Sequence, residues 1–218
     1  GSVIELKWID GASPDVELNA PKGMTIIGNQ LFVADITQIR VFELPSGQQK
    51  TSIKIAGSSF LNGMTADKNN TIYVTDTGLK PDFSSSETDA IYKVSTTGKV
   101  ETVLKDAKMG RPNGIIEDNG QLFVVFFGEA KMLKIDATGN AITMPTPPYT
   151  SLDGLVKLKD GSFAMSSWES SAIHTFKNGQ YHTLIDNLDA PADMDIDSKR
   201  NRLLVPLFKE NEVVIIPL

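Results

Sequence analysis

The chain has 218 residues, 40% hydrophobic and 22% charged, with a net charge of −6 and no cysteine. That balance is ordinary for a globular protein with a sizeable core, and no linker or charge run divides it, so residues 1–218 read as one domain. The acidity argues against a nucleic-acid surface, which needs a basic patch. The missing cysteines exclude disulfides, zinc-thiolate sites and thiol nucleophiles, and no apolar run approaches the roughly 18 residues of a membrane span. The opening Gly1-Ser2 reads as a cloning remnant, so the natural N-terminus is expected to have been removed, and compartment is not legible.

In chain order, Val3–Trp8 comes first and alternates apolar with polar residues, as a strand with one wet face does. A repeat then begins. Its first unit opens at the turn Pro21-Lys22-Gly23-Met24 and continues through a strand to the turn Gly28-Asn29. A second strand at Leu31-Phe32-Val33, a third at Val41-Phe42 and a turn at Gly47 complete it. The second unit runs from Leu61-Asn62-Gly63-Met64 through Ile72-Tyr73-Val74 and Ile91–Val94 to Gly98, then an outer strand at Lys99–Leu104. The third runs from Pro112-Asn113-Gly114-Ile115 through Leu122-Phe123-Val124 and Met132–Ile135 to Gly139. The fourth runs from Leu152-Asp153-Gly154-Leu155 through Phe163-Ala164-Met165 and Ile173–Phe176 to Gly179 and an outer strand at Gln180–Leu184. The fifth runs from Pro191-Ala192-Asp193-Met194 through Leu203-Leu204-Val205 to Val213–Ile216, and has no fourth strand before Leu218.

Anchored on the last residue of each opening turn (24, 64, 115, 155 and 194), the units are spaced by 40, 51, 40 and 39 residues. A period near 40 enclosing short strands predicts an all-β propeller of four-stranded blades. The continuously apolar second strands fit burial on both faces, between neighbouring blades. Gly, Asn and Asp at the turns tolerate the positive φ of tight hairpins. Because the fifth unit lacks an outer strand, Val3–Trp8 is expected to pair beside Val213–Ile216 and close a five-bladed ring. The alternative is a six-bladed ring lacking one blade, open to self-association through its edges.

In such blades the loop leading into the first strand and the loop from second to third strand share one face. The opening turns therefore ring the mouth of the central channel and present Lys22, Asn62, Asn113, Asp153 and Ala192. Three consecutive blades supply Asn, Asn and Asp, the oxygen donors that hard cations such as Ca²⁺ prefer, although Asn-Gly and Asp-Gly are also common turn dipeptides. The second-to-third loops add Asp35, Asp76, Phe127, Trp168 and Phe208. Aromatics beside polar groups suit a ligand pocket; Phe208 is instead expected to cap the core, and Asp35 and Asp76 to bond loop backbone. The longest spacing comes from an insertion at Leu79–Asp89, either a lid over the mouth or a mobile surface loop. His174 and His182 fall on outer strands as packing or surface residues, which leaves the mouth without a histidine base.

Pro112-Asn113-Gly114, Leu152-Asp153-Gly154, Tyr73-Val74-Thr75-Asp76 and the repeat length resemble the senescence marker protein, gluconolactonase and luciferin-regenerating-enzyme-like family. The resemblance spans nearly the whole chain on short, degenerate motifs. It implies a propeller with a divalent cation, usually Ca²⁺, in the channel and a lactone or ester hydrolase activity. It places Asn113 and Asp153 at the metal, makes Asp153 the catalytic base, and has Asn62 contact metal or substrate; Trp168 and Lys22, on the same rim, are separate candidates for substrate contact. The family's ligating Glu, in its first blade, has no counterpart here, so the cation site is expected to be one carboxylate short and activity of these residues compromised. Two readings follow: a cation-dependent hydrolase, or a non-catalytic propeller binding a small molecule or protein at its mouth.

Overall fold

In the computed structural model, which describes residues 4–218, each repeat folds into one antiparallel sheet whose strands follow chain order outward from the axis. Blade 1 holds β1 (Pro21–Ile27), β2 (Gln30–Asp35), β3 (Gln38–Glu43) and β4 (Ile53–Lys54). Blade 2 holds β5 (Leu61–Ala66), β6 (Thr71–Asp76), β7 (Ala90–Ser95) and β8 (Val100–Lys105). Blade 3 holds β9 (Pro112–Asp118), β10 (Gln121–Phe126), β11 (Met132–Ile135) and β12 (Ala141–Thr143). Blade 4 holds β13 (Leu152–Lys157), β14 (Phe163–Ser167), β15 (Ala172–Lys177) and β16 (Gln180–Ile185). Blade 5 holds only β17 (Asp195–Asp197), β18 (Arg202–Leu207) and β19 (Glu212–Pro217). The protein is an all-β five-bladed propeller, with no helix among the described residues.

The second strands show why the repeat stacks as blades. Successive side chains of a strand point to opposite faces, so β10 sends Leu122, Val124 and Phe126 toward Ile91 of blade 2. Its Phe123 and Val125 go the other way, to Leu155 and Met165 of blade 4. A sheet apolar on both faces is stable only between two others, which is what the continuous hydrophobic runs encode.

Glycine sets how closely the blades meet at the axis. A β-carbon on Gly63 would lie 2.3 Å from Asn113 O, and one on Gly114 would lie 2.3 Å from Asp153 O. The third residue of each of the first four opening turns is therefore glycine because the next blade's backbone occupies the space of a side chain. Gly114→Ala is expected to lower folding stability by about 3 kcal/mol through overpacking, read as a shifted urea midpoint. A midpoint within experimental error of wild type would show that the blades can separate at no cost.

The N-terminal segment does not close the ring. Ile4–Trp8 form no strand, Val3 lies outside the described residues, and blade 5 keeps three strands. The segment turns instead onto blade 1, where Trp8 Nε1 donates to Pro45 O at 3.1 Å. Ile9, Val16 and Leu18 cover Leu31, Val33, Phe42 and Leu44, on the face of blade 1 turned away from blade 2. Glu17 fixes the segment, its carboxylate taking Arg40 Nη1 at 2.8 Å and its backbone N–H donating to Gln49 Oε1 at 2.7 Å. Covering an adjacent apolar face won over pairing with a distant edge. The inner strands pack in succession from β1 through β5, β9 and β13 to β17, and no contact of comparable extent returns from β17 to β1.

Candidate functional site

The opening turns converge because each inner strand carries the same irregularity. The register of β1, β5, β9 and β13 slips across Lys22-Gly23, Asn62-Gly63, Asn113-Gly114 and Asp153-Gly154. Bulges of this kind re-aim side chains at functional rims. Hydroxyls on or just past the second strand of blade 2 hold the slipped turn of the following blade: Thr77 Oγ1 donates to Pro112 O at 2.8 Å and Thr75 Oγ1 to Asn113 O at 2.8 Å. Ser166 Oγ accepts from Gly154 N at 2.8 Å and donates to Ala192 O at 2.9 Å, tying the turns of blades 4 and 5 together.

Asn113 and Asp153 come together as their spacing suggested. Asn113 is 3% exposed and Asp153 7%. Burial and the charge of Asp193 push the Asp153 carboxyl up to about 8, against the pull of the adjacent Trp168 indole and Asn113 amide. Asn113 Oδ1 and Trp168 Nε1 are nonetheless buried with no hydrogen-bond partner. Unpaired buried polar atoms are costly and rare in a finished core, so their gathering beside one carboxylate marks the site.

The other expected residues stand further from this centre. Asn62 is half-buried, and its Nδ2 donates to Thr77 Oγ1 at 2.9 Å. Lys22 is turned toward blade 2, its Nζ donating to Ala20 O at 2.9 Å and lying 4.0 Å from the centre of the Phe60 ring. Burial lowers its pKa, partly offset by Asp35. Trp168 packs edge-on against Phe127 at 5.4 Å and at a 34° tilt against Phe208 at 4.9 Å, forming an aromatic wall over blades 3 to 5. Phe208 is 65% exposed and so extends the wall instead of capping the core.

Asp35 and Asp76 bond loop backbone as expected. Asp35 accepts the amides of Asn19 and Ala20, and Asp76 those of Ser59, Phe60 and Gly78. These bonds fasten the leading loop to the second-to-third loop in each blade. The Leu79–Asp89 insertion is pinned at its base by the Leu79–Ser85 bridge and by Asp89, which takes the amides of Gly110 and Arg111. Its tip, Phe83, is exposed and meets the edge of Phe60. His174 is buried, stacked on Tyr149 and bonded to Ser170 and Thr183, and burial pushes it down to about 4 despite Glu169. His182 is exposed. Neither histidine serves the mouth.

One carboxylate near this centre, Asp193, is not brought up by the alignment of the turns. It stands where the other four opening turns have glycine, and aligning the turns on their second residue brings up Ala192 instead. Its Cα lies 3.0 Å from where a Gly154 β-carbon would sit. Burial and Asp195 push its carboxyl up to about 7, against a bond from the Met194 amide. The available signal was an acidic side chain at a position the repeat reserves for none.

No family model matches the chain, and no curated protein matches it by sequence. Solved propellers do match in structure. Virginiamycin B lyase from Staphylococcus aureus, in a catalytically inactive form with quinupristin, superposes with a TM-score of 0.70 at 16% identity, over 95% of this chain and 68% of its own. A gluconolactonase from Xanthomonas campestris gives 0.70 at 18%, over 85% and 68%. A chain of a nidogen–laminin complex gives 0.69 at 16%, over 91% and 80%. At these identities the likeness shows the fold.

Proposed function

We propose that the channel mouth is a divalent-cation-dependent hydrolytic site for lactones or related esters. The observation that carries this reading is the buried, unpartnered Asn113 oxygen beside the buried Asp153 carboxylate, a pair of hard oxygen donors suited to Ca²⁺. Asn113 and Asp153, with Asn62 from the preceding blade, would hold the ion, which when bound would polarise the scissile carbonyl. Asp153 is the only carboxylate among the three and is the group placed to take a proton from water or a substrate hydroxyl. Trp168 and Phe208 give the substrate an apolar wall, and the Trp168 indole N–H offers it a hydrogen bond.

Hydrolysis of simple γ- and δ-lactones with Ca²⁺ present, followed by acid release, tests the proposal. Turnover should vanish with a chelator and fall by at least about a hundredfold in Asp153→Asn, the scale of a lost general base. A non-catalytic binding propeller is the second reading. It is favoured by the absence, among the described residues, of any three His, Cys, Asp or Glu side chains grouped to hold a metal. No turnover by a protein that binds the cation would decide for it.

A further inference from the structure

We infer that Asp193 supplies a second carboxylate to the mouth, so that a hard cation is held chiefly between blades 3, 4 and 5 by Asn113, Asp153 and Asp193. This rests on the cation reading above and changes its ligand set.

The argument begins with the position. In the first four opening turns the third residue is glycine because the following blade's backbone lies within 2.3–2.7 Å of its β-carbon site. No further inner strand packs beyond β17 as extensively as β5, β9 and β13 pack on the blades before them, so a side chain is tolerated at the turn leading into β17, and the residue present is an acid. Geometry then brings it to the site. The backbone of Asp193 abuts Gly154, the neighbour of Asp153, and the Ser166 hydroxyl bridges the two turns, holding the backbones that carry the two carboxylates side by side.

A separate observation points to a ligand. Asn113 is 97% buried by its 3% exposure, its amide lies beside Asp153, and its Oδ1 has no donor to accept from. An electropositive group is what that oxygen lacks. The carboxylates lack one too: among the described residues neither Asp153 nor Asp193 forms an ion pair with a lysine, arginine or histidine. Like charges on adjoining turns, Asp153 buried and Asp193 half-buried, are retained at a cost that a bound cation offsets. Affinity of hard-cation sites rises with the number of charged ligands, so Asp193 stands in for the carboxylate that the family resemblance leaves missing, and from a different blade.

Terbium luminescence reads the site directly, since Tb³⁺ replaces Ca²⁺ and Trp168 adjoins Asp153. Excitation of tryptophan in the wild-type protein should give saturable Tb³⁺ emission that Ca²⁺ displaces. Trp8→Phe should keep the signal, because Trp8 bonds Pro45 on blade 1. Asp193→Asn should weaken Tb³⁺ and Ca²⁺ binding at least tenfold, and Asp193→Gly, which restores the repeat's own residue, should do the same with an unchanged near-ultraviolet dichroism spectrum. Wild-type affinity in both Asp193 variants, with binding lost in Asp153→Asn, would overturn the role of Asp193 and leave the cation reading standing. No displaceable emission from the wild-type protein would overturn both.

Discussion

Asp35→Asn is expected to lose about 3 kcal/mol of folding stability, the low end of what breaking a buried ion pair costs. The Asp35 side chain is fully buried and pairs with Arg40 Nε at 2.8 Å. Burial alone would raise its pKa, but the amides of Ala20 and Asn19 and the Arg40 guanidinium together hold it below the usual carboxylate value. An asparagine removes the charge opposite Arg40 and turns an N–H₂ group toward donors. Arg40 keeps Glu17 at 2.8 Å as a second partner, which limits the loss. For a chain of this length the melting temperature should drop by roughly 6–12 °C, with Ca²⁺ affinity at the mouth unchanged where the variant is folded. A variant as stable as wild type would show that Glu17 alone satisfies Arg40. Lost cation binding in a folded variant would place Asp35 in the site, contrary to its bonding.

Much of the fold was legible because a propeller writes the same instruction five times. Every second strand is a short apolar run and every opening turn holds the same small residues, so chance similarity in one unit is corrected by the others. The 51-residue spacing marks the insertion, whose base Asp89 pins through the Gly110 and Arg111 amides. The misreading fell on the segment outside the repeat. Val3–Trp8 has strand alternation, but alternation does not name a partner, and the partner was decided by contacts that no periodicity encodes. Glu17 meets Arg40 and Gln49, and Ile9, Val16 and Leu18 find an uncovered sheet face. Local covering of apolar surface also needs less loop closure than pairing with a strand some two hundred residues away.

The candidate site is legible in the sequence only in part. Asn113 and Asp153 follow from turns in register, because a bulge repeated at one place in each inner strand aims equivalent residues at one axis. Lys22 shares that position but not that neighbourhood, its amine being drawn to Ala20 O and the Phe60 ring. Phe208 is exposed where the sequence suggests a core cap, because an apolar residue in a loop carries no label for core or surface. Asp193 departs from the repeat, and such a departure gains meaning only from the crowding at Gly23, Gly63, Gly114 and Gly154, which shows what the glycines are for.

Asp153→Asn is expected to have two opposed effects: a more stable metal-free protein and a lost cation site. Burial and the charge of Asp193 hold the folded-state pKa of Asp153 near 8, against about 3.9 in an unfolded chain. A carboxyl raised in this way adds stability below its unfolded pKa and loses it as pH climbs toward the folded value, since the unfolded state then releases its proton more easily. The metal-free wild-type protein should therefore weaken steadily from about pH 4 to pH 8 through this group, and the asparagine variant should show less of that slope. At pH 8 the variant should be the more stable by on the order of 2 kcal/mol, after allowing for the buried amide it introduces. Saturating Ca²⁺ should reverse the order, because a ligand that binds only the folded state raises its melting temperature, and the variant has lost one of the two carboxylates proposed to bind it. Thermal melts at pH 5 and pH 8, each with Ca²⁺ and with chelator, separate the two effects. Equal gains from Ca²⁺ in both proteins would remove Asp153 from the cation site, and a less stable variant at pH 8 under chelation would show that its carboxylate is already compensated within the protein.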